Sequence, residues 1–272
     1  MIATVALIQD TFREAFARKI FWGFFGCCTA LLLFLIFILR IDVVQGALAT
    51  VSIFGNTLPT TNVHDLVEQT QSVIAMVLFY AGLGLSVFAS AGLVSAMFQQ
   101  GRIELLLSKP VSRTHLLLGR YLGNVLVVAS NIVYLVGGSW IVFGVKTGLW
   151  GIGYLISSVF TIFMFAVLLA VIVLVGVAWD SSAVAIMVTF AIMIVTPILA
   201  WPMLERLLSS QWSRDVADVL YYILPKTADV GLIIRHLILH RPVESWMPVW
   251  STAIFGAVVL ALGVWKFQRR SF

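Results

Sequence analysis

Six long apolar runs, separated by shorter polar or charged stretches, dominate the hydropathy pattern of this 272-residue chain. A bilayer core requires about 20 apolar residues per helix, and each run reaches or approaches that length. None of the six runs contains Asp, Glu, Lys, Arg or His. The pattern predicts six transmembrane helices, with expected limits at 20–39, 73–98, 121–145, 152–179, 181–204 and 249–265.

Composition supports the same fold class. Hydrophobic residues make up 61% of the chain and charged residues 11%, with a mean hydropathy of +1.05. Soluble domains carry about a quarter charged residues, so a soluble globular fold is excluded. We expect an all-α polytopic membrane protein in which residues 20–272 form one transmembrane domain. No cleavable signal peptide is expected, because the first apolar run begins only at Ile20 and ends against Arg40.

The segment before the first run has helical periodicity. Val5, Ile8, Phe12 and Phe16 recur at three and four residues. This spacing predicts an amphipathic helix over residues 1–19, lying in the inner membrane interface. Two roles stay open for it: a surface anchor without a specific partner, or an elbow helix that transmits motion.

Positive charge predicts the orientation of the chain. With both termini in the cytoplasm, ten of the 17 Lys and Arg residues lie inside and seven outside. Cytoplasmic loops carry the excess of Lys and Arg, so we expect both termini to be cytoplasmic. The basic pI, about 9.5, then reflects membrane topology, and nucleic acid is not expected as a partner.

The most informative segment lies between the second and third runs, at residues 98–123, and reads FQQGRIELLLSKPVSRTHLLLGRYLG. The residue before a proline is disfavoured in a helix, so a first short helix should end at Lys109, before Pro110. Ser112 is placed to cap a second helix that continues into the next run. We predict a helix, a turn and a helix at the cytoplasmic surface, with residues 99–120 as a docking segment for a soluble partner.

Two longer polar regions are expected outside the membrane. Residues 41–72 are rich in Thr, Ser and Asn and should form a loop with little structure. Residues 205–248 contain two helical patches, about 213–224 and 226–240, divided by Pro225. For a short external helix of this kind, we expect a position against the outer leaflet or dipping into it.

One face of the third run carries polar side chains. Asn124 and Asn131 are seven residues apart, and Tyr134 lies nearby. An amide inside a bilayer is costly unless it is hydrogen-bonded to another helix or to water. This face is therefore either part of a helix interface or the lining of a substrate path.

The sequence contains no recognisable catalytic motif. It has neither the G-x-x-x-x-G-K-[ST] phosphate loop nor G-x-S-x-G nor H-E-x-x-H. His236 and His240 have metal-ligand spacing but lack a clear third ligand, and Cys27 and Cys28 are adjacent, which suits neither zinc nor redox chemistry. We expect no catalytic residue, metal or cofactor in this chain.

Three segments resemble the type-2 ABC transporter permeases, and among them the six-span permeases of nitrous-oxide-reductase maturation transporters. They are TFREAFARKIFW at 11–22, GRIELLLSKPVSRTHLLLGRYLG at 101–123 and LPK at 224–226. The resemblance implies a non-catalytic membrane subunit that pairs with a second permease chain, as a homodimer or heterodimer, and with two P-loop ATPase subunits. It also implies a multi-pass location in the inner (plasma) membrane of a prokaryote, in contact with membrane lipid.

In that family the segment between the second and third spans supplies the coupling helix that enters a groove on the ATPase. Carried over to this chain, the coupling residues are Gly101, Arg102, Glu104, Lys109, Pro110, Ser112 and Arg113. Movement of a substrate is the expected function. The alternatives are a mechanotransmitter that acts on an external partner without transport, and an ATP-independent channel or secondary carrier. The uncharged runs argue against the last of these.

Overall fold

The computed structural model describes residues 2–17, 19–38, 40–44, 48–53, 56–57, 61–95, 112–201 and 210–269. Nine helices lie within these ranges: α1 (Ile2–Ala17), α2 (Lys19–Ile38), α3 (Val63–Ser95), α4 (Arg113–Thr147), α5 (Ile152–Trp179), α6 (Ser182–Leu199), α7 (Gln211–Ile223), α8 (Thr227–Ile238) and α9 (Met247–Arg269). Four short strands lie there too: β1 (Arg40–Val44), β2 (Leu48–Ile53), β3 (Asn56–Thr57) and β4 (Thr61–Asn62).

Among the described helices, five are long and apolar enough to cross a membrane: α3, α4, α5, α6 and α9. The pair α1 and α2 passes the same test together, although the two helices are bent by 72° relative to each other. The described part of the chain therefore has five candidate spans, or six if the bent pair counts as one. This confirms a helical, multi-pass membrane protein.

Helix α5 lies at the centre of the bundle, packed against α3, α4, α6, α8 and α9. Its sequence is apolar on every side, and more than half of its residues are buried by the neighbouring helices. Phe165, Leu168, Leu169 and Ile172 have no exposed surface. The other spans keep an apolar face on the outside, where a bilayer would cover it.

Several helix ends are set by local sequence, among them the predicted cap at Ser112. Ser112 caps α4, with its Oγ accepting from the backbone N–H of His115. Ser181 caps α6 by accepting from the N–H of Val184. Between α4 and α5 the chain turns at Gly148, whose φ of +75° is readily adopted only by glycine. Only four residues therefore separate α4 from α5, and the two helices form a tight hairpin.

The expectation of a loop with little structure over residues 41–72 is wrong. Strands β1 and β2 form an antiparallel pair in which Arg40 lies opposite Ser52 and Val44 opposite Leu48. β3 and β4 also pair with β2, and α3 begins at Val63, ten residues before the predicted span. The β-branched residues of this segment favour strands, and its Thr and Ser content obscured that preference.

The two external helices differ in how they contact the bundle. α8 does not lie over the outside of the bundle, because Val230 and Ile234 have no exposed surface and Gly231 packs against Met76 and Tyr80 of α3. α7, by contrast, has no buried residue at all. The apolar face of α8 is therefore covered by neighbouring helices, whereas α7 is an exposed amphipathic helix.

Candidate coupling site at the α1 end of the bundle

The start of α4, the end of α9 and helix α1 meet at one end of the bundle, here called the α1 end. The opposite end, with the strands, α7 and α8, is called the sheet end. Among the predicted coupling residues, Ser112 and Arg113 lie at the α1 end. Gly101, Arg102, Glu104, Lys109 and Pro110 lie outside the described residues, directly before them in the chain.

Arg120 clamps α1 onto α4. Its side chain is 5% exposed, and its guanidinium donates from Nη1 to Glu14 Oε2 at 2.6 Å and from Nη2 to Asp10 Oδ2 at 2.5 Å. Both acceptors lie on α1, four residues apart and so on one helical face. A buried arginine is tolerated only when it is paired, and the rigid fork of the guanidinium suits two carboxylates at once.

A pair of glycines brings the two helix backbones together beside this clamp. A Cβ added to Gly119 would lie 2.8 Å from Leu7 Cδ1, and one added to Gly123 would lie 2.7 Å from Thr11 Oγ1. Thr11 and Ala15, which face α4, are each 1% exposed. Gly119 and Gly123 thus form the four-residue small-residue spacing that allows close helix packing in membranes.

The first turn of α4 is also tied to the last turn of α9. Arg113 Nη1 donates to the backbone carbonyl of Gln268 at 3.3 Å. The side chain of Gln268 returns a hydrogen bond, with Nε2 donating to Thr114 Oγ1 at 2.6 Å. α1, α4 and α9 are therefore joined at the point where the predicted docking segment enters α4.

The arrangement around Arg120 was not predicted from the sequence. The i, i+4 spacing of Asp10 and Glu14 and the Gly119, Arg120 and Gly123 pattern were visible signals. These residues form the clamp through contacts between positions more than 100 apart in the sequence, which periodicity does not reveal. The predicted amphipathic segment is confirmed as a helix, α1. One side of α1 packs against α4, and Phe16 on its apolar side is 48% exposed.

The predicted polar face of the third run is divided by the structure. Asn124 and Asn131 are buried, 3% and 2% exposed. Tyr134 instead lies on the side facing α2, where its ring stacks on Phe25 at 4.7 Å and its hydroxyl lies 3.3 Å from that of Thr29. The two amides and the tyrosine therefore do not form one continuous site.

Asn131 faces a small cavity between α2, α3, α4 and α5. Its Nδ2 donates to the carbonyl of Val127, whereas Oδ1 has no partner among the described residues. Ser157 and Thr161 also line the cavity, and its free volume is about 10 Å³, room for about one water molecule. This geometry favours the helix-interface reading of Asn131 over the substrate-path reading.

Substitution at Asn131 tests whether its buried Oδ1 lacks a hydrogen-bond partner. Asn131→Leu removes a buried, unpaired oxygen while keeping the side-chain size, so we expect a free energy of unfolding within about 1 kcal/mol of wild type. Asn131→Asp should be destabilising, because it buries a carboxyl without a basic partner. Thermal unfolding in detergent measures both, with Ser130→Leu as the matched exposed control. A strong loss of stability in Asn131→Leu would show instead that Oδ1 accepts a hydrogen bond, as it would from a water in the cavity.

Two histidines at the sheet end contact the same carboxylate of α3. Nδ1 of His240 lies 2.9 Å from Glu68 Oε1, and Nδ1 of His64 lies 3.1 Å from the same oxygen. In the part of the chain that the structure describes, no group of three metal-binding side chains is arranged to hold an ion. His240 therefore links the segment after α8 to α3 through Glu68, rather than pairing with His236 as a ligand.

No protein-family model matches this chain, and no curated protein matches it.

Proposed function

We propose that this chain is the membrane subunit of an ABC transporter, in which a separate P-loop ATPase docks on residues 98–120 and drives the movement of a substrate. The proposal includes two ATPase copies, a second permease chain and a prokaryotic plasma membrane. It rests on the resemblance of the docking segment and on the way this segment is connected to the bundle.

The observation that carries the proposal is the Arg120 clamp. The docking segment leads directly into α4, and two turns later Arg120 holds α1 through Asp10 and Glu14. A force applied before Ser112 would therefore move α1 and α4 together. Gln268 extends the connection to α9. A surface anchor without a partner would not require a buried ion pair at this position.

The scarcity of ionisable side chains in the spans supports an energy source outside the chain. α5 and α6 contain no ionisable Asp, Glu, Lys, Arg or His side chain, and in α3, α4 and α9 such side chains lie near the helix ends. Ion-coupled carriers place such groups at mid-membrane depth, because charge must move through the site. Work delivered by a partner's ATP cycle fits spans of this kind better than coupling to protons or sodium.

The test is co-purification of the chain with its neighbouring gene products. We expect an ATPase carrying the G-x-x-x-x-G-K-[ST] motif to elute with the wild-type chain, and to be lost when residues 104–113 are deleted. A milder variant, Arg102→Ala with Lys109→Ala, should weaken the association. Its matched control is Arg235→Ala with Arg241→Ala, which removes the same charge at the sheet end.

Two outcomes would contradict the proposal: no ATPase elutes with the folded wild-type chain, or the deletion leaves the association intact. Substrate flux in vesicles then distinguishes transport from mechanotransmission. An ATPase cycle that remains coupled to the chain without flux of any candidate substrate would favour a mechanotransmitter.

A further inference from the structure

Helix α7 has an apolar face that the described part of the protein does not cover. Its 13 residues include none that is buried. Trp212 is 75% exposed, Val219 56% and Ile223 58%. Large apolar side chains at this level of exposure need a partner outside the described chain, since contiguous apolar patches on soluble surfaces are small.

The side chains of α7 divide into three faces around the helix. At 100° per residue, the apolar residues cluster within about 100° of one another: they are Trp212, Val216, Val219, Leu220 and Ile223. Ser213, Ala217 and Tyr221 lie on a second face and are half-buried, which marks the side in contact with the bundle. Arg214, Asp215 and Asp218 form the third face and are exposed.

The end of α7 is held firmly to the bundle. Lys226 is 2% exposed, and its Nζ donates to the carbonyl of Tyr221 at 2.9 Å while lying 4.2 Å from the centre of the Tyr221 ring. The Tyr221 hydroxyl donates to Asp229 Oδ2 at 2.9 Å. The backbone N–H of Lys226 donates to Thr252 of α9. The rotation of α7 about its own axis is therefore fixed.

The protonation states of this anchor are consistent with its geometry. Burial, and then the hydrogen bond to Asp229, raise the pKa of Tyr221, so the hydroxyl keeps the proton that it donates. Burial lowers the pKa of Lys226, and the nearby carboxylate of Asp229 acts in the opposite direction.

We propose that the apolar face of α7 lies in the lipid bilayer at the sheet end, with its charged face toward water. The neighbouring spans point to this occupant. α6 and α9, which contact α7, expose Ile194, Ile198 and Ile254 on their outer surfaces, so the lipid-facing surface continues to α7. Trp201, Trp246 and Trp250 are also exposed near this end, and tryptophan is enriched at the membrane interface.

Charge identifies the kind of lipid contact. α7 contains one arginine and two aspartates, so it carries no excess of positive charge. Amphipathic helices that bind anionic headgroups are rich in Lys and Arg on the polar face. The attachment of α7 is therefore driven by apolar burial, and it does not depend on anionic lipid. The position of α7 in the bilayer does not depend on whether the chain binds an ATPase.

Spin labels on α7 test the proposal in the full chain, reconstituted into bilayer nanodiscs. Cys27 and Cys28 are first replaced by Ala, and single cysteines are then placed at positions 216, 219 and 223 of the apolar face. The matched controls are cysteines at 215 and 218, on the charged face of the same helix. Each label is exposed to oxygen, which partitions into lipid, and to a water-soluble nickel chelate.

We expect labels at 216, 219 and 223 to collide with oxygen and to lose collisions with nickel, and labels at 215 and 218 to show the reverse. The pattern should be the same in bilayers with and without anionic lipid. Nickel access equal on both faces would show that α7 is in water, and exclusion of both reagents from the apolar face would show a protein contact. Protection that requires anionic lipid would also overturn the proposal.

Discussion

Replacing Arg120 by alanine is expected to lower the free energy of unfolding by about 3–5 kcal/mol, because it removes the cation from a buried ion pair. Glu14, 12% exposed at its side chain, would lose the guanidinium that donates to it. Asp10 is 57% exposed and would be largely rehydrated, so most of the cost should come from Glu14. Thermal unfolding in detergent and protease cleavage within α1 measure the loss.

Companion variants establish that the effect comes from pairing. Arg120→Lys should recover little, because an ammonium group does not reproduce the two-pronged contact to both carboxylates. Asp10→Asn should cost less than Glu14→Gln, in line with their exposure. The triple variant Arg120→Met, Asp10→Asn, Glu14→Gln should be more stable than Arg120→Ala, since it leaves no unpaired charge. A stability of Arg120→Ala equal to wild type would contradict the clamp.

The second large effect is expected at the glycines beside the clamp. Gly123→Ala should lower the free energy of unfolding by about 1–3 kcal/mol, because the new methyl group would overlap Thr11 and force α1 away from α4. Gly119→Ala should act in the same way through Leu7. Gly123→Leu should cost more, since a flexible neighbour cannot move far enough to accept an isobutyl group.

Gly137 provides the matched control on the same helix. A Cβ at Gly137 would meet nothing within 4 Å. Gly137→Ala should therefore be neutral or stabilising by up to about 1 kcal/mol, through helix propensity alone. Thermal unfolding of the three alanine variants side by side gives the comparison. Equal effects at Gly119, Gly123 and Gly137 would show that α1 does not pack against α4 as described.

Local sequence rules account for much of the fold. The apolar run at 152–179 coincides with α5, because a continuous apolar run longer than about 20 residues predicts a membrane-spanning helix. Ser112 and Ser181 cap helices where their side chains predict it. These features depend on residues within one or two turns, which is the range over which sequence patterns are informative.

Long-range features were not predicted. The burial of α8 depends on Gly231 meeting Met76, and the clamp depends on Arg120 meeting Asp10. In both cases the sequence shows the residue types but not the partner. The sequence predicted an external helix against the outer leaflet but did not decide which of the two patches forms it. The exposed apolar residues of α7 favour α7.

The candidate site was predicted in part. Ser112 and Arg113 lie at the α1 end beside the clamp, while Gly101 to Pro110 lie outside the described residues. Asn124 and Asn131 face the interior, and Tyr134 faces α2, so the predicted polar face does not form a single surface. The coupling role of residues 101–113 and the identity of the partner stay predictions.

Photocrosslinking from the docking segment tests the central proposal most directly. A photoreactive amino acid at position 109, in membranes that contain the neighbouring gene products, should crosslink to a protein carrying the G-x-x-x-x-G-K-[ST] motif. The same group at position 150, in the α4–α5 turn at the sheet end, should not. Crosslinks to the ATPase from both positions, or from neither in a folded chain, would contradict docking at residues 98–120.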